Sequence, residues 1–496
     1  MGLMTFVLPD PLAPSAAALL SHASFAAGYD RTPSPTKARI ENGRLLLVRE
    51  ADESGSLFLP WPVGGAGAIV TTTATLRERA EPYNLLLELA RGKLNQVRTQ
   101  VGEWKAVGLR TPPEFDAHLA TTTALFAKAA LNQPSREADD AATQVVDRSY
   151  QAADALARMF VRQMFDSRLN EEGRLPTRLS ARYQAAPNPA VTDDYRRTFN
   201  AARVGFRWRD VEPAESSYNW SNLDMAIESA RIAGQPITIG PVIDLAPGKA
   251  PAWVEGWKGD LQTQAAFMCD FLETMIGRYR DRVRRWVVCA GFNHADGAGL
   301  SDDERLRLMQ RLFESASQVD PNLELVLSVA QPWGDYLSQD DQTISPLSFA
   351  DGLVRTGLAI SGVELEIRAG TTPRGSLPRD LLDASHMMDV FALLGLPLEV
   401  MLSHPAAPTP DFGAREHGEE LWEPAWRGGP TPEAQAEWGA AFAALALCKH
   451  EVRAVTWDNW SDADPHLVPN GGLVTSAGQV RPLLARLEGL RSQFLE

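Results

Sequence analysis

From about residue 171 onward, short apolar runs alternate with amphipathic stretches, and no other feature constrains the fold of this 496-residue chain as tightly. The runs are "ARVGFRW", "PITIGPVID", "RRWVVCAG", "LELVLSVAQP", "GVELEIRAG", "LPLEVMLSHP" and "VRAVTWDNW"; segments such as "SNLDMAIESARIAG" and "AEWGAAFAALALCKHE" lie between them. A strand followed by a helical period, repeated, gives parallel strands joined by right-handed crossovers. Seven clear strands and a fainter first one near "PTRLSARY" make eight. Residues 171–496 are therefore expected to close into a TIM (β/α)8 barrel, an α/β fold.

Two other patterns precede it. Residues 1–110 carry short alternating runs, "ARIENGRLLLVRE", "SGSLFLPWPV" and "GAIVTTTATL", broken by Gly, Asn and Asp. They read as antiparallel strands of a β-rich, sandwich-like N-terminal domain, followed by a switch to helical spacing at Leu86, Leu87, Leu89, Leu94 and Val97. Residues 111–170 read as a helical connector; Ser135 caps a long helix with Glu137, Asp139 and Asp140 near its positive end. Its apolar stripe is expected to pack on the barrel or to pair two copies of the chain.

The formal net charge of −15 excludes nucleic acid and anionic membranes as natural partners, because polyanions would be repelled. The three cysteines are widely spaced and form neither a disulfide framework nor a metal-binding pair. The start lacks a cationic region before an apolar run, and no stretch is long enough to span a membrane. A cytoplasmic location is expected.

The segment "FRWRDVEPAESSYNWSNLDMAIESARIAGQPITIGPVIDLAPGKAPAWV" resembles the opening of glycoside hydrolase family 10, the endo-β-1,4-xylanases. Arg207 and Trp208, Glu212 and Pro213, Tyr218 to Trp220, Gly240, and Pro251 to Trp253 follow that family's order and spacing. The similarity continues through Trp286, Leu396 and Pro397, Trp457 and the closing "GGLVTSAGQVRPLLARLEGL", covering roughly residues 190–490.

The resemblance implies a carbohydrate-active barrel with a retaining pair of carboxyls about 5–5.5 Å apart, ending strands four and seven. It puts the acid/base at Gly291, or at His294 if the strand bulges. It puts the nucleophile at Leu402 and a supporting Asp at His404. None of these is a carboxylate. Sugar-binding positions differ as well: Arg203, Val204, Arg207, Pro241, Glu366 and Arg368 stand where the family has Glu, Asn, Lys, His, Gln and His. Scaffold positions match while chemical ones do not, as expected when a fold is kept and its activity changes.

Other groups near the strand ends are candidates for the missing roles. Glu366 or Asp458 could supply a carboxyl, and His294 or Asp296 could carry a proton. If Glu366 faces the lumen, Glu364 does too, deeper, where it needs a cation such as Arg203 or Arg207; Arg368 then reaches the rim. Candidate saccharide contacts are Arg207, Trp208, Asp244, Trp253, Trp333, Arg368, His404 and Trp457. Indole faces can stack on sugar C–H groups, although the same tryptophans would also serve as packing. His294, Asp296 and His404 are possible ligand types, but their spacing defines no metal site, and no metal or cofactor is assigned.

The long stretch "HPAAPTPDFGAREHGEELWEPAWRGGPTPEAQAEW", with His417, Trp422 and Trp426, is expected to fold over the barrel mouth as part of a cleft. Trp333 and Tyr336 of "QPWGDY" are expected on the same rim. The functional expectation is a divergent family-10-like protein that hydrolyses or binds a β-linked saccharide without the usual retaining pair. The alternatives are an inactive carbohydrate-binding protein, and a structural or assembly protein using the barrel as a scaffold.

Overall fold

The apolar runs become eight parallel strands: β1 (Arg178–Tyr183), β2 (Ala202–Val204), β3 (Ile237–Ile239), β4 (Arg285–Ala290), β5 (Glu324–Ala330), β6 (Ile360–Arg368), β7 (Leu398–Ser403) and β8 (Val452–Trp457). Each pairs with the next, and β8 returns to β1 with Trp457 opposite Ala181, so the sheet closes. A two-residue extension of β3, Ile243–Asp244, pairs with Cys289 and Ala290 and carries Asp244 to the rim. The computed structural model describes residues 2–10, 12, 14–245, 248–294, 299–338, 343–372, 377–414, 420–421 and 426–496. Within these the fold is a TIM barrel, as the alternation of runs requires.

Side chains alternate across every stave. On β7, Glu399 reaches across the bore to Arg285 of β4, so Met401 and Ser403 share its inward face. Leu398, Val400 and Leu402 face the other way, into the apolar layer beneath the helices. Those helices start where their sequences cap them. Asp260 accepts from the Thr263 N–H at 3.1 Å, and Thr431 from the Ala434 N–H at 3.1 Å. Ser301 and Glu304 form a reciprocal capping box.

The N-terminal strands form two four-stranded sheets, antiparallel except where Gly2–Val7 meets Tyr83–Asn84. Helices Leu85–Ala106, Pro113–Leu131 and Arg136–Glu172 follow. The last is capped by Ser135, whose side chain accepts from the Ala138 N–H at 3.1 Å. Buried residues of both sheets, the long helix and the barrel belong to one continuous apolar core. Polar ties cross the same boundary. Arg168 donates to the carbonyls of Leu447 (2.8 Å) and Lys449 (3.1 Å), Gln96 to Asp383 (2.7 Å), and Lys93 pairs with Asp380. Among the described residues, no helix is long and apolar enough to cross a membrane.

Candidate functional site

The bore is filled by ion pairs rather than by aliphatic side chains. At the bottom, Arg285 lies between Glu399 (2.6 Å) and Glu324 (2.5 Å). At mid-depth Arg203 of β2 pairs with Glu364 of β6 at 3.1 Å, and both are 1% exposed. Arg203 also donates to the Gly240 carbonyl at 3.2 Å. At the mouth Arg182 meets Asp458 at 2.7 Å and donates to its carbonyl at 3.0 Å. Ser328 donates to Glu366 at 2.6 Å, and Arg368 pairs with the same carboxylate. Arg368 Nε lies 3.7 Å from Asp458 Oδ2, so the two candidate carboxyls Glu366 and Asp458 converge on one guanidinium.

Burial sets the protonation chemistry of this stack. It pushes the Glu364 carboxyl up to about 7, against the opposing pull of Arg203. Burial would raise Asp458 too, but Arg182, Arg368, Lys249 and Arg203 outweigh it and hold that carboxyl below its ordinary value. Lys249, buried in the loop after β3, is lowered by burial, with Asp244 and Asp458 opposing and Arg182 and Arg207 adding to the effect. A carboxyl held ionised by four cations is a poor proton donor at neutral pH. It suits charge balance and hydrogen-bond acceptance.

Of the remaining sequence candidates, Arg207 is at the mouth, bonded to Asp210 at 2.5 Å, and Asp244 is half-buried on the β3 extension. His294 is half-buried just beyond β4, its ring 5.7 Å from that of Tyr336. Asp296 lies outside the described residues, as do His417 and Trp422. Gly291 follows β4 with φ of 76°. Leu402 points into the helix layer, and Ser403 ends β7 on the lumen side. Thus the described end of β7 offers the bore a hydroxyl, and neither neighbouring position is an acid.

Several aromatic candidates sit in packing instead of on the mouth. Trp208 is buried, stacked on Phe271 with centroids 4.8 Å apart, and donates to Glu212 at 2.7 Å. Trp253 meets Trp208 edge-on and donates to the Glu212 carbonyl at 3.3 Å. Trp457 faces outward and donates to the Gly471 carbonyl at 2.8 Å. His404 is fully buried against Trp438, and burial pulls its pKa down to about 4. Tyr336 is buried too, its hydroxyl 3.1 Å from the Ile344 carbonyl. Trp333 lines a cleft between barrel and N-terminal sheet.

The long loop after β7 is described only in part. Glu420–Leu421 pairs with Thr371–Thr372 just past β6, at the C-terminal end of the barrel. Trp426 instead bridges to Gly67, and the Arg427 N–H donates to the Ala66 carbonyl at 2.9 Å, tying this loop to the N-terminal hairpin.

Sequence reasoning overlooked three features. Lys249 and Arg182 sit in the mouth cluster, though neither stood out as a candidate in the sequence. Asn293 staples the ends of β4 and β5, donating to the Ala330 carbonyl at 2.7 Å and accepting from its N–H at 3.0 Å. Asp411, Asp462 and His466 cluster between the loops after β7 and β8 with ligand-like spacing. Their oxygens are already engaged. Asp411 accepts from His466 (2.8 Å) and the Gly413 N–H (2.9 Å), and Asp462 from Arg481 (2.6 Å) and the Gly472 N–H (2.7 Å). The trio is a loop staple, satisfied without an ion.

No family model matches the chain. Endo-1,4-beta-xylanase A of Fusarium oxysporum f. sp. lycopersici is 23% identical over 178 residues, 35% of this chain; the match spans about half (53%) of that relative's length. Among solved structures, xylanase 10B of Thermotoga maritima has a TM-score of 0.48 at 13% identity, covering 67% of this chain and 98% of its own. Penicillium canescens endo-1,4-beta-xylanase XylE has a TM-score of 0.49 at 13% identity, covering 66% and 97%. Over about a third of its length the chain is thus similar in sequence to an endo-1,4-beta-xylanase.

Proposed function

We propose that this chain is a divergent family-10-like, carbohydrate-active protein whose barrel mouth binds a β-linked saccharide without the usual retaining carboxyl pair. The observation that carries the reading is the convergence of Glu366 and Asp458 on Arg368, beside Arg182. Paired carboxylates and guanidinium groups at a concave mouth present the acceptors and planar donors that sugar hydroxyls need. The same pairing argues against ordinary xylanase chemistry. A general acid must hold a proton near working pH, whereas Asp458 is kept ionised.

Glycan arrays with the full chain, beside hydrolysis assays on xylan and aryl β-xylosides, test this. The expected result is saccharide binding that Glu366→Gln and Asp458→Asn each weaken, without xylan turnover at rates ordinary for xylanases. Rapid turnover overturns the binding-only reading. A second reading, a barrel serving as a scaffold, is favoured by the ion pairs that fill the bore below the mouth. It is the outcome if no glycan binds at millimolar concentration.

A further inference from the structure

A separate cleft lies where the N-terminal sheet meets the barrel. Its cavity volume is about 100 Å³, it opens to solvent on one side, and none of the mouth residues lines it. That is on the order of the ~150 Å³ apolar cavity that takes up a single benzene ring. One wall is Phe25 and Phe58, stacked with centroids 5.3 Å apart and planes 4° from parallel. The opposite wall is Leu347, Met387, Val390 and Phe391, from the helices Pro346–Arg355 and Leu381–Ala392.

Its back is polar. The Arg379 guanidinium lies 4.8 Å over the Trp333 ring and donates to Asp335 at 2.5 Å. Arg379 and Asp335 are each 4% exposed. Three buried atoms here have no hydrogen-bond partner among the described residues: Trp333 Nε1, Arg379 Nη1 and Asp335 Oδ2. Orphaned buried groups cost free energy until something engages them.

The chemistry of these orphans selects the occupant. Two are N–H donors and one is an acceptor, so a hydroxyl, which both accepts and donates, fits them. An ammonium group cannot accept from the two donors. A carboxylate cannot donate to Asp335, and it would face three lining aspartates (Asp30, Asp335, Asp383) against two arginines (Arg31, Arg379). The apolar walls suit a flat ring more than the hydroxyl-covered faces of a sugar. We propose that this cleft is a binding site for a small neutral aromatic alcohol, its ring between the two apolar walls and its hydroxyl at Trp333, Arg379 and Asp335.

Saturation-transfer NMR on the full chain tests this, with phenol as the probe beside benzoate and xylobiose. The expected result is saturation of phenol above both controls. Trp333→Phe, which keeps the ring and removes the donor, should weaken phenol binding roughly tenfold. Val390→Trp, which fills the cleft from a half-exposed position, should abolish it while circular dichroism stays unchanged. Preferential binding of benzoate or xylobiose, or phenol binding indifferent to both substitutions, overturns the proposal. Glycan binding at the mouth should be unaffected by either variant, so this result and that of the mouth reading are independent.

Discussion

The two faces of the barrel strands carry opposite chemistries. Outward, Val400, Leu402, Val455 and Trp457 join the apolar layer under the helices. Inward, Arg182, Arg203, Arg285, Glu364, Glu366 and Glu399 stack as ion pairs along the bore. Trp286 and Trp457, two of the positions that carry the sequence resemblance to xylanases, lie in the outward layer; three departures, Arg203, Glu366 and Arg368, lie on the inward face, and two others, Val204 and Leu402, lie outward. A scaffold can therefore persist while its bore is rewritten, because the layers are packed against different neighbours and vary independently.

The sharpest way to break that contrast is to put a carboxylate on each face of β7. Leu402→Glu buries an unpaired charge under the helices and should cost on the order of 5 kcal/mol, enough to leave much of the chain unfolded in a urea titration. Ser403→Glu, one residue on, enters the bore opposite Arg368 in the strand register and should remain folded. Equal tolerance of both would refute the assignment of faces. A smaller effect tests the bore itself. At pH 8, where Glu364 is ionised, Arg203→Met should cost about 3–5 kcal/mol by stranding it, and Arg203→Met with Glu364→Leu should recover most of that. If the double variant is no more stable than the single one, the pair is not the unit that matters.

The smallest effect concerns pH. Glu364 keeps its proton in the folded chain up to about 7, whereas the unfolded chain releases it near 4.5. Its contribution is thus most favourable below 4.5, falls as pH rises through that window, and is level above 7. The stability of the native chain minus that of Glu364→Gln should slope downward there by at most ~1.4 kcal/mol per pH unit. Parallel curves from pH 4 to 8 would show that burial does not hold the proton.

How far the sequence foretold this differs by feature. The staves were legible because apolar runs and helical periods alternate, and on β6 the spacing of Glu364, Glu366 and Arg368 marks one face directly. The partner of Glu364 was narrowed to Arg203 or Arg207 by its expected depth, and closure of the sheet selects Arg203, 161 residues away in sequence. Leu402 shows a different failure. Aligning β7 by resemblance set its expected nucleophile one residue off the lumen face, and a slip of one residue turns a strand side chain to the other side. Trp333 and Trp426 read as sugar platforms because loop tryptophans at a barrel mouth invite it. Nothing local in the sequence reveals that the N-terminal sheet and hairpin reach them first.

That last contact carries a practical consequence. The bridge from Trp426 to Gly67, with the Arg427 N–H on the Ala66 carbonyl, makes the leading hairpin a foundation for part of the far rim. Cutting the chain ahead of the first stave would strip those backbone partners, along with the arginine that steadies Leu447 and Lys449 from below. Function lost by such trimming would register a toppled rim, not the chemistry of the bore.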